Sequence, residues 1–192
     1  EEAKSSPKPP TLQWTVRQGG NPRQGSISMY PDEIQQAILD TTSWFDRNAE
    51  EEKLADVKGA DESELKLLHS RFVHVPEPLS ALLRVHNGRF WLYGFRLLSV
   101  EDMVEVADRV GSNPKWIPDS LPFARDVDNN YLILDKEGKV FEWDDEEGEG
   151  PAPAATSFAS YLEHFRDKLL SGKLEFVEGV GIVECMESPV KR

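Results

Sequence analysis

The chain has 192 residues, with 22 Lys and Arg against 35 Asp and Glu, so its formal net charge is -13 at pH 7. A surface this acidic repels phosphate backbones, which argues against direct nucleic-acid binding, and the apolar runs are too short for membrane insertion. With 39% apolar residues, the composition is that of a folded chain of about one domain.

The first stretch, residues 1–29, is predicted to form an extended or flexible N-terminal arm. Pro, Ser, Gly, Gln and Lys dominate it. Leu12, Trp14 and Val16 alternate at a period of two, which is typical of a strand added to the edge of a sheet; a disordered tail is the alternative. We expect the arm to dock on a neighbouring chain, with Trp14 as a contact residue.

Residues 30–177 are predicted to form the folded domain, and residues 178–192 a C-terminal strand or tail. Helix-start signals and helical spacing of apolar residues predict five helices, beginning at Pro31, after Gly59, near Pro76, after Ser99 and after Thr156 or Ser157. Between the first two, residues 50–58 read as a charged, solvated connection. Asp61 and Glu64 have the spacing of a capping box.

Strand signals interleave with these helices. Short strands are predicted within Phe90–Leu98, at Tyr131–Leu134 and Lys139–Trp143 on either side of the turn Asp135–Gly138, and as a terminal hairpin of Leu174–Val177 and Val180–Val183. Strict alternation of strand and helix is absent, which favours the α+β class.

One acidic segment partly matches a calcium-binding loop. Asp126, Asp128 and Asn130 alternate, and Glu137 stands at the twelfth position. The sixth position, where the loop needs glycine, is Tyr131, and a strand follows where a helix should begin. A turn with solvated acids is therefore the preferred interpretation.

A second acidic cluster forms a single loop. Its members are Asp144, Asp145, Glu146, Glu147 and Glu149. A hydrated loop kept open by self-repulsion is the simplest interpretation, and the functional one is contact with a basic protein surface. A metal-dependent hydrolase that uses Asp126, Asp128 or this loop is the alternative from another class.

Catalytic patterns are missing from the sequence. The four histidines show no metal-ligand spacing, and no nucleophile motif is present. We therefore predict no catalytic, cofactor-binding or metal-ligating residue and no enzymatic activity. Cys185 is the single cysteine, which favours an intracellular location, either the cytoplasm or an organelle lumen after removal of a targeting segment.

Aromatic residues are the remaining candidates for binding. Trp91, Tyr93 and Trp143 are each typical of a core position, but Trp and Tyr also dominate binding hot spots. In a strand, Trp91 and Tyr93 would face the same side. We name all three as candidate partner contacts.

An ordered series of motifs carries a family resemblance. The motifs are Gly59–Leu65, Val75–Gly88, Leu97–Ser99, Trp116–Pro118, Phe123–Asp126, Tyr131–Asp135, Gly138–Val140 and Thr156–Phe158. In order and spacing they resemble the SUKH superfamily, the module of the yeast cell-wall-assembly regulator and of bacterial toxin-immunity proteins. The resemblance implies a central, mainly antiparallel sheet partly wrapped by helices, and protein binding instead of catalysis.

Two positions depart from the family pattern. The family usually has a second glycine where this chain has Arg89, and tends to have glycines near Asn129-Asn130, so we expect these loops to differ in conformation. The leading hypothesis is a scaffold or accessory subunit of a larger intracellular assembly, whose partner has a basic surface. An immunity-like inhibitor of a single basic partner is the alternative.

Overall fold

The computed structural model describes residues 31–52, 54–150 and 152–185. The predicted arm with Trp14 lies outside the described residues, and so do residues 186–192 of the predicted tail. In the described part, the α-helices are α1 Pro31–Asn48, α2 Glu62–Arg71, α3 Glu77–Val85, α4 Val100–Val110 and α5 Phe158–Leu170. None of these helices is both long and apolar enough to span a bilayer.

Six consecutive strands form the main sheet. They are β1 Trp91–Leu92, β2 Phe95–Leu97, β3 Leu121–Arg125, β4 Tyr131–Leu134, β5 Val140–Asp144 and β6 Gly148–Glu149. Each strand pairs antiparallel with the next one along the chain. A separate antiparallel hairpin consists of β7 Leu174–Val177 and β8 Gly181–Glu184. The predicted α+β class and the antiparallel sheet with flanking helices are confirmed.

Three of the helices, α2, α4 and α5, begin at side-chain caps that the sequence predicts. The Asp61 side chain accepts hydrogen bonds from the backbone of Ser63 and Glu64, while the Glu64 carboxylate accepts one from the Asp61 backbone, so the capping box is present. Ser99 caps α4 and Ser157 caps α5 by the same backbone-to-side-chain bond.

The core lies between the sheet and the helices. The Phe123 ring of β3 packs edge-on against Phe158 and Tyr161 of α5, with ring centroids 5.3 and 6.5 Å apart. Phe45 of α1 lies 5.4 Å from Phe90, which precedes β1. After α1, two single-turn 3-10 helices occupy the predicted solvated connection, and Leu54 anchors it in the core.

A neutral histidine is buried at the end of α3. His86 Nε2 lies 2.9 Å from Thr42 Oγ1, and the Thr42 hydroxyl donates to the Ile38 carbonyl, so the ring must donate to Thr42. His86 Nδ1 is buried and has no partner in the described part of the chain. Burial lowers the pKa of His86, although the charge of Asp46 opposes this.

The β7–β8 hairpin docks on the turn between β1 and β2. Ile182 N donates to the Tyr93 carbonyl over 3.1 Å. The Tyr93 ring lies 4.8 Å from the ring of Phe165 in α5, and Gly181 sits against the Trp91 ring, where an added Cβ would lie 2.6 Å from it. The C-terminal hairpin is therefore packed against the domain.

Candidate functional site

The acidic loop between β5 and β6 is braced by its own backbone. Asp144 Oδ1 accepts hydrogen bonds from the amides of Glu146 and Glu147, which closes a turn directly after β5. Gly148 follows with a φ of 85°, a conformation that favours glycine and leads the chain into β6. The loop conformation thus follows from local chemistry within a few residues.

A second segment, between α4 and β3, fixes the loop from outside. Asn113 Nδ2 donates to the Asp145 carbonyl over 3.1 Å, and Lys115 Nζ donates to the Glu146 carbonyl. The Trp143 indole Nε1 donates to the Lys115 carbonyl over 3.2 Å. Because Lys115 binds a carbonyl oxygen, it holds the loop without forming an ion pair with its carboxylates.

The carboxylates themselves point their charge at solvent. Asp145, Glu146 and Glu147 are exposed, and none of them forms an ion pair within the described residues. Asp128, at the tip of the β3–β4 turn, and the acidic loop line one shallow depression. The two acidic segments singled out in the sequence therefore meet on one surface, which we call the acidic face.

Partial burial, with the charge of Asp135 as the smaller cause, raises the pKa of Glu149. Glu149 is itself an exposed residue at the end of β6, which follows the turn formed by the other acids of the loop. Its carboxylate therefore takes up a proton more readily than a fully solvated glutamate does.

The Asp126 side chain accepts hydrogen bonds from within its own turn. Its Oδ1 accepts from the amides of Asp128 and Asn130 at 2.9 and 2.8 Å, and its Oδ2 accepts from the Asn130 side chain. This bonding closes the β3–β4 hairpin and engages the Asp126 carboxylate within the turn. Among the described residues, no group of three or more His, Cys, Asp or Glu side chains is arranged to hold a metal ion.

The three candidate aromatic residues lie inside the protein to different degrees. Trp143 is 1% exposed and Trp91 is 6% exposed, so both side chains belong to the core. Tyr93 is half-buried between α5 and the β7–β8 hairpin, and burial raises the pKa of its hydroxyl. Trp143 contributes to the acidic face indirectly, because it holds Lys115 beneath the loop.

The anchors of the acidic loop were not identified from the sequence. Asn113 and Lys115 stand about thirty positions before the loop and belong to a segment that reads only as turn-rich. No local spacing links them to the acids. Only the packing of the segment after α4 beside β5 brings them together, through the edge-on contact of Trp116 with Trp143 at 5.0 Å.

At the two positions that depart from the family pattern, the backbone has positive φ angles of the kind that glycine adopts. Arg89 has a φ of 60° and Asn129 has a φ of 65°, both in the left-handed region. The side chains at these positions are new, while the backbone angles are those that glycine adopts easily.

These features define an α+β domain whose distinguishing surface is a braced acidic loop. The model of the SMI1 / KNR4 family (SUKH-1) matches residues 59–164, more than half of the chain, and the chain belongs to this family. Domains of this family mediate protein–protein interaction and are generally non-catalytic, and membership is compatible with an interaction or immunity-type function. A search of curated proteins returned no match.

Proposed function

We propose that this protein is a non-enzymatic interaction module, an accessory or scaffold subunit of an intracellular assembly, and that its acidic face binds a basic surface of a protein partner. One observation supports this most directly. Asp145, Glu146 and Glu147 are exposed and without ion pairs in the described chain, on a loop whose backbone is held by Asn113 and Lys115.

Rigid presentation is what separates this loop from an ordinary hydrated one. A free acidic loop loses conformational entropy when a partner orders it, and that cost weakens binding. Here the hydrogen bonds of Asp144, Asn113 and Lys115 have already ordered the backbone. A basic partner then gains the attraction without the full ordering cost, and it also relieves the mutual repulsion of the carboxylates.

The net charge of the chain adds long-range attraction. At -13, the protein draws basic partners toward it, and this attraction acts mainly on the association rate. Salt screens it over a Debye length of about 8 Å at physiological ionic strength. Partner binding through the acidic face should therefore weaken as salt is raised.

Two further predicted contacts complete the proposal. The arm, residues 1–29, adds a strand to a neighbouring chain through Trp14, on the basis of its period-two alternation. Trp143 supports the acidic face through its bond to Lys115, while Trp91 and Tyr93, which pack against the β7–β8 hairpin, take part in partner contact only through the groups around them.

The test compares two variants with equal charge change. Asp145→Asn/Glu146→Gln/Glu147→Gln removes the exposed acids of the loop. The control, Glu101→Gln/Glu105→Gln/Glu175→Gln, removes three exposed acids from α4 and β7. Affinity capture from cells that express the protein, at low and at raised salt, is quantified by mass spectrometry for wild type and both variants.

The proposal requires partners that the loop variant loses and the control variant keeps, in amounts that fall as salt rises. Equal loss in both variants means that net charge alone acts, and this result contradicts the proposal. One stoichiometric partner captured at all salt concentrations favours the immunity-like inhibitor instead. If calorimetry shows tight binding of calcium, magnesium or zinc that Asp126→Ala abolishes, the result supports the alternative of a metal-dependent hydrolase.

A further inference from the structure

Three arginines meet on an otherwise acidic molecule. Arg96 of β2 and Arg125 of β3 are direct Cα partners across the antiparallel pair. Arg89, which precedes β1, joins them in lining an open depression of about 200 Å³. We call Arg89, Arg96 and Arg125 the arginine cluster. Nothing in the sequence spacing suggests it, because strand register creates it.

The cluster is only partly neutralised. Arg96 pairs with Glu52 over 3.2 Å, while Arg89 and Arg125 are exposed and form no ion pair within the described residues. Asp102 is the acid on the rim of the depression, and its carboxylate accepts a hydrogen bond from the Ser99 hydroxyl. Positive charge therefore remains in excess at this place.

Buried donors without acceptors lie beneath the same charges. Arg96 Nε and Trp91 Nε1 are both buried and have no hydrogen-bond partner in the described chain. The Arg96 guanidinium lies 5.5 Å from the centre of the Trp91 ring. Both residues, with Arg125, line a second depression, where Glu52 and Asp126 balance the charge; the excess of positive charge is in the first depression. Buried polar groups without partners are rare, so unpaired N–H donors here call for an acceptor.

Folding alone does not favour this arrangement. Like charges placed directly opposite each other on neighbouring strands destabilise a sheet, and unpaired buried donors add to that cost. A bound anion relieves the repulsion between Arg96 and Arg125, directly above the layer that holds the unpaired donors. The chemistry required is an acceptor with at least two negative charges and enough oxygens to bridge Arg96 and Arg125.

We propose that the arginine cluster binds a phosphate monoester, in the form of a phosphoserine or phosphothreonine side chain of a protein partner. A carboxylate offers two oxygens and a single negative charge, whereas a phosphoryl group offers three oxygens and a charge of nearly -2, which suits two guanidinium groups better. The depression is too small and open to enclose a nucleotide-sized ligand, so the group is presented by a larger molecule. The acidic face takes no part in this site.

The test is an NMR titration of the full chain, labelled with ¹⁵N. The probe is a short peptide whose only charged group is one phosphoserine. The two control peptides have serine or glutamate in place of the phosphoserine. The reporters are the Trp91 Nε1–H and Arg96 Nε–H signals, which lie at the proposed site. Saturable shifts with the phosphopeptide, weaker shifts with glutamate and none with serine are expected.

Three variants are expected to change the affinity for the phosphopeptide in different ways. Arg125→Gln should weaken phosphopeptide binding by about tenfold or more, because a charge-assisted pair is lost. Glu52→Gln should strengthen it several-fold, because the internal competitor for Arg96 is removed. Arg71→Gln is the matched control, an exposed arginine paired with Asp108 elsewhere, and should change nothing.

Several results overturn the proposal. Absence of shifts at Trp91 and Arg96, or equal weakening by Arg125→Gln and Arg71→Gln, means that the cluster is not the site. In a parallel titration with phosphatidylserine vesicles, shifts that the phosphopeptide does not produce would assign the cluster to a membrane surface instead of a protein. Unchanged or weaker binding in Glu52→Gln contradicts the competition that the structure implies.

Discussion

The docking of the C-terminal hairpin depends on one glycine. Gly181 has a φ of 105°, and a Cβ added there would lie 2.6 Å from a Trp91 ring carbon and 2.8 Å from the Tyr93 carbonyl oxygen. Gly179, two residues earlier, also has a positive φ, 77°, but a Cβ there meets nothing within 4 Å. The two positions therefore separate backbone strain from steric contact.

We expect Gly179→Ala to destabilise the protein by about 1 kcal/mol, the cost of a left-handed backbone with a side chain. Gly181→Ala should cost about 2 to 5 kcal/mol, because the strained angle is joined by overpacking against a core ring and a fixed carbonyl. The Ile182 N–H bond to Tyr93 should weaken as the hairpin shifts outward.

Urea unfolding followed by tryptophan fluorescence measures both values in parallel. Hydrogen exchange at the Ile182 amide then reports the local opening of the hairpin. Equal losses for Gly179→Ala and Gly181→Ala would refute the reasoning, because the hairpin would then not be seated on Trp91 and Tyr93. Protection of Ile182 that is unchanged in Gly181→Ala would lead to the same conclusion.

Three further predictions test other parts of the structure. Arg89→Gly should raise the free energy of unfolding by up to about 1 kcal/mol, because glycine adopts the left-handed φ of this position without strain. Asn129→Gly should raise it by less, since asparagine already tolerates that φ; urea unfolding measures both. Ser157→Ala removes the cap of α5 and should cost about 1 kcal/mol in the same assay, with Thr156→Ala as a neighbouring control. The pKa of His86 is lower in the folded chain than in the unfolded chain, so below about pH 6.5 the unfolded chain binds an extra proton and the free energy of unfolding falls as pH drops. His86→Gln should make this fall less steep. An unchanged dependence of stability on pH in His86→Gln contradicts the prediction.

Local chemistry made much of the fold predictable. The capping box of Asp61 and Glu64, the cap at Ser99 and the Asp135–Gly138 turn each depend on contacts within a few residues. Such signals survive in a single sequence because the interacting groups are neighbours along it. The acidic loop was visible for the same reason, as a run of charge.

What the amino-acid order alone determined was the class of fold, the family membership and the acidic character of the surface. Only the tertiary structure decided that Asn113 and Lys115 hold the acidic loop, that Trp143 lies in the core, and that Arg96 faces Arg125. The reason is physical: strand register and burial are settled by the packing of the whole chain at once, so residues far apart in sequence become neighbours that no local pattern marks.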